Sequence, residues 1–382
     1  MPRKGENIYK RKDGRWEARY IKQRTPDGKA VYGYVYAKSY KEVKSKAQKC
    51  LVAVANNWAT SASSQQHQES SSFECVANEW YASILPQVKE STSNKYRNLL
   101  DSYIVPLFGN ISLAQLSFEI IEEGTNQLLT SGGKSGTGLS AKTVADTLSV
   151  IRNILKYAAR SGHTVKCEVS SIQIKRNPQE MRVLSRGEQE RLCKYLYSDL
   201  CACNIGILLS LFTGIRIGEL CALKWEDISL QEQTMHIRQT MQRIQDRSGV
   251  NQKTKIVVTA PKSACSIRTI PLPGHLVKII AEYKTTDTGF FLTNSNMRYI
   301  EPRTMQNKFQ KALKNCSIES VNFHTLRHTF ATRCVELGFD VKSLSEILGH
   351  ASVNITMNRY VHPSLDLKKK NMQRLSELFA VN

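Results

Sequence analysis

The stretch Thr213-Gly214-Ile215-Arg216-Ile217-Gly218-Glu219-Leu220, continued to Leu223, Trp225 and Asp227-Ile228, decides the reading of the chain. It opens a helix packed through Leu220 and Leu223, with Arg216 in the first turn. Alone, such an arginine is most often a surface residue. Three further segments follow it in order. Pro261-Lys262-Ser263-Ala264-Cys265-Ser266-Ile267-Arg268-Thr269-Ile270-Pro271-Leu272 sets Lys262 at the tip of an expected hairpin whose returning strand alternates. His324-Thr325-Leu326-Arg327-His328 puts His324 and Arg327 on one helical face, away from an apolar stripe of Leu326, Phe330 and Leu337. Leu348-Gly349-His350 ends a helix at Gly349, and Ser352 then caps a short helix with Val353, Met357 and Tyr360 on one face.

Each segment is weak by itself, but together they supply complementary parts of one chemistry. Two arginines and two histidines can neutralise a pentacoordinate phosphate. A lysine can protonate a leaving alkoxide. A tyrosine hydroxyl is a nucleophile able to form a covalent phosphoester. The sequence has no Asp/Glu cluster suited to two metals and no phosphate-cradling loop, so no cofactor and no metal are expected.

Composition agrees with a polyanionic partner. The 382 residues carry 54 Lys+Arg against 33 Asp+Glu, a formal charge of +21, with 41% apolar residues. That describes a multidomain globular chain with an excess of cations suited to nucleic acid. No apolar run approaches the ~18 residues of a membrane span, and the first residues lack the apolar core of a secretory signal. The ten cysteines form no Cys-x-x-Cys pair and read as reduced thiols of a cytoplasmic protein.

The charge is uneven. Residues 1–60 hold 15 Lys+Arg against 5 Asp+Glu, nearly half the excess. Turn signals at Asp13-Gly14 and Pro26-Asp27-Gly28 separate three expected strands, Ile8-Tyr9, Arg15 to Lys22 and Val31 to Tyr36. A helix follows, capped at Ser39-Tyr40-Lys41-Glu42. On the second strand Trp16, Ala18 and Tyr20 alternate with Arg15, Glu17 and Arg19, so one face can pack while the other presents cations. Arg15, Arg19 and Lys22 are the candidate DNA contacts of this 1–58 module. Residues 59–72, rich in Ser and Gln, read as a flexible linker. From Phe73 the periodicity is helical, with Val144, Leu148, Ile151, Leu155 and Ala158 as a long stripe, giving a helical domain over 73–165. Residues 166–182 read as an interdomain connection. From 183 to 382 helices mix with β-like runs at 234–244, 253–260 and 266–272, and a tail helix follows Tyr360. The fold class expected is mainly α with small β-sheets.

The ordered motifs T-G-x-R-x-G-E-L, P-K-S-x-x-S-x-R-x-I-P-L, H-x-x-R, L-G-H and a terminal tyrosine resemble those of the tyrosine recombinase (phage-type integrase) family. All six of that family's catalytic positions have a match: Arg216, Lys262, His324, Arg327, His350 and Tyr360. The resemblance extends over the chain, which is similar to integrases of conjugative transposons and temperate phages. It implies an arm-type DNA-binding module at 1–58, a core-binding domain at 73–165 and a mixed α+β catalytic domain from 183. It further implies that Tyr360 attacks a scissile phosphate of double-stranded DNA, forming a 3′-phosphotyrosyl link. Lys262 would protonate the leaving 5′-oxygen. Arg216, Arg327 and His350 would stabilise charge, and His324 would serve acid–base work or phosphate binding. Strand exchange in a homotetramer would pass through a Holliday junction, with an excision factor and a DNA-bending host protein as candidate partners. Glu219 is expected to brace the arginine helix, and His328 to be structural. Residues 239–255 are a candidate extra contact with DNA or another subunit. Two alternatives stand beside this reading. One is the same chemistry used to resolve chromosome dimers or relax supercoils. The other is a non-enzymatic architectural DNA-binding protein.

Overall fold

The computed structural model describes residues 7–361 except 12, 25–29, 51–71, 134–135, 168, 170, 176–180, 248–252 and 262, together with 369 and 372–373. Residues 59–71 of the expected 59–72 linker, Lys262 and nearly all of the tail helix lie outside the described residues, and Ser72, the linker's last residue, instead caps a helix through the Cys75 amide. The chain forms two compact units, Met1–Asn177 and Pro178–Asn382.

The first unit opens with a three-stranded antiparallel sheet, β1 (Ile8–Lys10), β2 (Trp16–Arg24) and β3 (Ala30–Ala37), in that order. Strand alternation divides its faces as expected. Ala18 is buried with Ile8, Ala37 and Val43, and Trp16 meets Tyr40 edge-on at 5.2 Å. Val43 and Tyr40 come from α1 (40–50), whose Glu42 amide is capped by the Ser39 hydroxyl. The opposite face is polar and aromatic. Tyr34 pairs with Arg19 across the strands and Tyr36 with Glu17, and Tyr9, Tyr32, Tyr34 and Tyr36 are all exposed. The register shifts between Ile21 and Gln23, which places Lys22 at a bulge in β2.

The helical part of this unit comprises α2 (Phe73–Ile84), α3 (Glu90–Leu99), α4 (Val105–Phe108), α5 (Phe118–Ser131) and α6 (Ala141–Arg160). Ser72, Ser117 and Ser140 cap α2, α5 and α6. The stripe on α6 is the centre of the core: Val144, Leu148, Ile151, Leu155 and Ala158 are all buried, with Phe73, Val76, Trp80, Leu100 and Ile104 around them. Each large apolar side chain among them contributes roughly 1.5–3 kcal/mol by leaving water. Part of the expected 166–182 connection belongs to this core. Val169 and Ile172 are buried in it, and Arg152 donates hydrogen bonds to both of their carbonyls. Two apolar side chains and an arginine tether keep this segment on the helices, so the unit extends past 165.

The second unit begins with α7 (Arg186–Ser198), opened by a Ser185–Glu188 capping box, then α8 (Ala202–Thr213) and α9 (Ile217–Ala222). Strands β4 (Ile228–Ser229) and β5 (Thr234–Ile237) follow, then the hairpin β6 (Thr240–Gln245) and β7 (Thr254–Thr259), then β8 (Arg268–Pro271). Helices α10 (Gly274–Tyr283), α11 (Pro302–Asn315), α12 (His324–Glu336), α13 (Val341–Leu348) and α14 (Val353–Tyr360) complete it. α8 is buried almost all round and forms the middle of the core with Leu220, Trp225, Phe291, Phe309 and Leu326.

Three expectations need correction here. β7 and β8 do not form a hairpin around Lys262: β7 pairs with β6, and β8 pairs with β5 in a separate sheet. The two strands flanking Lys262 therefore belong to different sheets. Leu337 is 77% exposed and leaves the stripe of α12, because it sits at the C-cap where the chain turns away. Met357 is also exposed, and α14 buries Thr356 with Tyr360 instead.

Candidate active site

The site assembles where α8, α9, α12, α13 and α14 meet. α8 stops at Gly214, which takes the left-handed conformation (φ +67°), and a Cβ there would lie 2.5 Å from the ring of Phe330. Arg216 is then the residue from which α9 starts. Glu219, three residues on, accepts from the Arg216 amide at 3.0 Å and from its Nη1 at 2.7 Å. The same carboxylate accepts twice from Arg268 of β8, Nη1 at 3.2 Å and Nη2 at 2.9 Å. Burial pushes the Glu219 carboxyl up, but the hydrogen bonds from Arg268 and the charges of Arg268 and Arg216 outweigh it and hold the group below its ordinary value. Glu219 is thus an anion that fixes two arginines. Arg268 Nε also donates to the Ile347 carbonyl at 2.6 Å, tying β8 to the end of α13.

Arg327 lies in the first turns of α12 and is 1% exposed. Its Nη1 donates to the Gly214 carbonyl at 2.9 Å and its Nη2 to the Leu348 carbonyl at 2.7 Å. Both acceptors are at helix ends, where carbonyls lack intrahelical partners and carry partial negative charge. One side chain therefore joins the ends of α8 and α13. Gly349, left-handed at φ +65°, ends α13, and its carbonyl accepts from Arg216 Nη2 at 3.4 Å. A Cβ at Gly349 would come within 2.9 Å of the Arg268 side chain.

Tyr360 ends α14 and is 5% exposed. Its hydroxyl lies 2.9 Å from Nδ1 of His328, and its ring stacks parallel to that of His350 with centroids 6.3 Å apart. His324 meets His328 edge-on at 4.5 Å. His350 Nδ1 is 2.8 Å from the Thr356 hydroxyl, which orients the ring. Burial, with the nearby Arg327 and Arg216 charges, lowers His324 to about 4 and His350 to about 3. Burial followed by His324 and Arg359 lowers His328 to about 4. All three rings are neutral at pH 7. Burial raises the Tyr360 phenol against the opposing pull of Arg327 and Arg359, so it stays protonated.

Of the sequence candidates, Arg216, His324, Arg327, His350 and Tyr360 converge here. Lys262 lies outside the described residues; the turn that follows it, Ala264–Ser266, leads directly into Arg268. In the first unit, the Arg19 guanidinium lies over the Tyr32 ring at 4.3 Å, and Arg15 pairs with Asp13 at 2.9 Å. The Lys22 side chain is outside the described residues. Sequence reasoning set His328 aside, although it is four residues from His324 and so shares its helical face. It also missed Arg268, whose signal was its place two residues before Ile270, on the buried face of β8.

The arrangement presents a buried phenol among fixed cations and neutral imidazoles, a geometry suited to attack on a phosphodiester. Among the described residues no group of His, Cys, Asp and Glu could hold a metal ion, and no helix is long and apolar enough to cross a membrane.

The phage integrase family model matches residues 182–366, and the model of the N-terminal SAM-like domain of phage integrases matches 72–129. Together they span more than half of the chain. The chain belongs to the phage integrase family. This tyrosine recombinase is 25% identical to a XerC-like tyrosine recombinase of Caldanaerobacter subterraneus subsp. tengcongensis, over 93% of its own length and 94% of the relative's. It is also 25% identical to the putative prophage phiRv2 integrase of Mycobacterium tuberculosis, over 98% and 96% of the two chains. Among solved structures, the Tn1549 transposon integrase with transposon right-end DNA is similar at a TM-score of 0.64 and 21% identity, over 79% of the recombinase and 99% of that chain. A lambda integrase dimer on a COC′ core site is similar at 0.58 and 16%, over 94% and 96%. These likenesses establish the mainly helical recombinase fold with small antiparallel sheets.

Proposed function

We propose that this recombinase is a site-specific integrase that cuts and rejoins double-stranded DNA to integrate and excise a mobile element, a conjugative transposon or prophage. The observation that carries the reading is the Tyr360 hydroxyl, buried among Arg327, His328 and His350 beside the Arg216–Glu219–Arg268 network.

Tyr360 attacks the scissile phosphorus and the P–O5′ bond breaks. Lys262 gives the leaving 5′-oxygen its proton. Arg216 and Arg327 face the charge that grows on the phosphate oxygens, and because their supporting contacts pre-exist, little reorganisation is needed during reaction. His350 donates to the phosphate from a ring held by Thr356. His324 binds phosphate or exchanges protons with it. The phosphodiester's energy is kept in the tyrosyl link, and a 5′-hydroxyl from another strand releases it. Two such rounds within a homotetramer pass through a Holliday junction.

The N-terminal sheet binds arm-site DNA through its exposed tyrosines and Arg15, Arg19 and Lys22, and the 73–165 helices bind core sites. An excision factor and a DNA-bending host protein assist, on the bacterial nucleoid in the cytoplasm. The test is a nicked suicide duplex carrying the element's end. Wild-type protein should accumulate on it covalently, and Tyr360→Phe should bind it without forming the adduct. Covalent product from the Phe variant would refute the assignment of the nucleophile.

A further inference from the structure

We propose that His328 is the group that takes the phenolic proton of Tyr360 as it attacks phosphorus. The proposal rests on the integrase reading and adds to it the fate of a proton.

The nucleophile must lose its proton, and Tyr360 is almost shut off from water. A protein acceptor is needed. Among the described residues the charged groups facing its oxygen are Arg327 and Arg359, whose guanidiniums only donate. With donors on that oxygen, its own hydrogen must point to a lone pair. His350 lies parallel to the phenol ring at 6.3 Å, with its Nδ1 engaged by Thr356. Among the described residues, Nδ1 of His328 is the imidazole nitrogen within hydrogen-bond distance of the hydroxyl, at 2.9 Å. With its proton on Nε2 the neutral ring offers that lone pair at Nδ1, and the surroundings keep His328 neutral at pH 7.

The step balances. The Oη–P bond forms as the phenolic proton moves to Nδ1. The P–O5′ bond breaks, and the departing oxygen takes its proton from the general acid. On rejoining, the 5′-hydroxyl attacks, its proton returns to that acid, and His328 gives its proton back to Tyr360. The phosphate's negative charge makes the imidazolium tolerable at this point of the cycle. Other groups facing His328 are His324 and Arg327 on its own helix, and Arg359 and Tyr360 on α14.

The test uses the full-length protein and single-turnover cleavage of the suicide duplex. His328→Asn keeps a hydrogen-bonding atom near the position of Nδ1 but cannot hold a proton. His328→Ala removes both. The proposal expects both variants to form the covalent complex on the order of 100-fold more slowly at pH 7, in the range of general-base effects. Their rates should rise with pH as the phenol ionises unaided, and DNA affinity should stay at the wild-type value. Recovery of the wild-type rate by His328→Asn would overturn the proposal, since orienting the phenol would then suffice. An unimpaired Ala variant would do the same. Should neither variant fold, the wild-type profile decides. An internal acceptor gives a cleavage rate nearly flat from pH 7 to 8.5, and a tenfold rise per pH unit means that hydroxide takes the proton. Failure of wild-type protein to form any covalent complex would instead remove the functional reading itself.

Discussion

Arg268 and Glu219 meet in a doubly hydrogen-bonded ion pair whose side chains are 5% and 3% exposed. Neither residue needs to touch DNA for the pair to matter. Glu219 also holds Arg216, and Arg268 also holds the carbonyl before Leu348, so the pair links α9, β8 and α13 around the candidate site.

Glu219→Ala should destabilise the catalytic unit by about 3–5 kcal/mol, because it leaves Arg268 buried without its anion. Cleavage should fall with it, since Arg216 loses its brace. Urea unfolding together with single-turnover cleavage reads both effects. Unchanged stability would mean that the pair is replaceable by other contacts.

Arg327→Lys keeps the charge but replaces a planar fork by a single ammonium. One head cannot reach the Gly214 and Leu348 carbonyls in the same way. Cleavage should drop about 10²–10³-fold, as for loss of one preorganised donor, while DNA affinity changes little. Quench-flow cleavage beside a binding titration separates the two. A variant with full activity would show that charge alone is required of Arg327.

Acid should weaken the catalytic unit through its histidines. His324 and His328 titrate near 4 and His350 near 3 in the folded protein, all below the ordinary value of 6.5. As pH falls through 6.5 the unfolded chain takes up protons that the folded chain refuses, so stability present above 6.5 is lost progressively toward 4. Melting curves from pH 7.5 to 4.5 should show the midpoint falling, and less steeply for His350→Gln. A midpoint independent of pH over that range would contradict the burial of these rings.

The N-terminal face should act through salt-sensitive affinity. Replacing Arg15, Arg19 and Lys22 together by alanine should lower the slope of log K against log salt by about 0.9 for each phosphate no longer neutralised. Cleavage of an isolated core site should be spared. An unchanged slope on arm-site DNA would remove these residues from the interface.

Much of the architecture was legible because it is written in local periodicity. Strand alternation placed Ala18 inside and Arg19 outside, and the 3.6-residue period fixed the buried face of α6. What sequence missed is long-range or short. Strand partners are chosen across the fold, so β7 and β8 could be neighbours in sequence without pairing. An eight-residue helix has too few turns for its stripe to be read, hence Met357 outside and Thr356 inside. In the site, Arg216, Arg327 and Tyr360 were recognisable by order. The pairing of His328 with Tyr360 spans 32 residues and two helices and becomes visible only when the chain is folded.

The central claim is that Tyr360 carries the DNA during exchange. Digesting the covalent complex with nuclease and protease and sequencing the nucleotide-bearing peptide by mass spectrometry tests it most directly. The adduct should map to the peptide containing Asn358-Arg359-Tyr360, with a 3′-phosphate link on the tyrosine. An adduct on any other residue, or cleavage with no protein-linked DNA at all, would contradict the account.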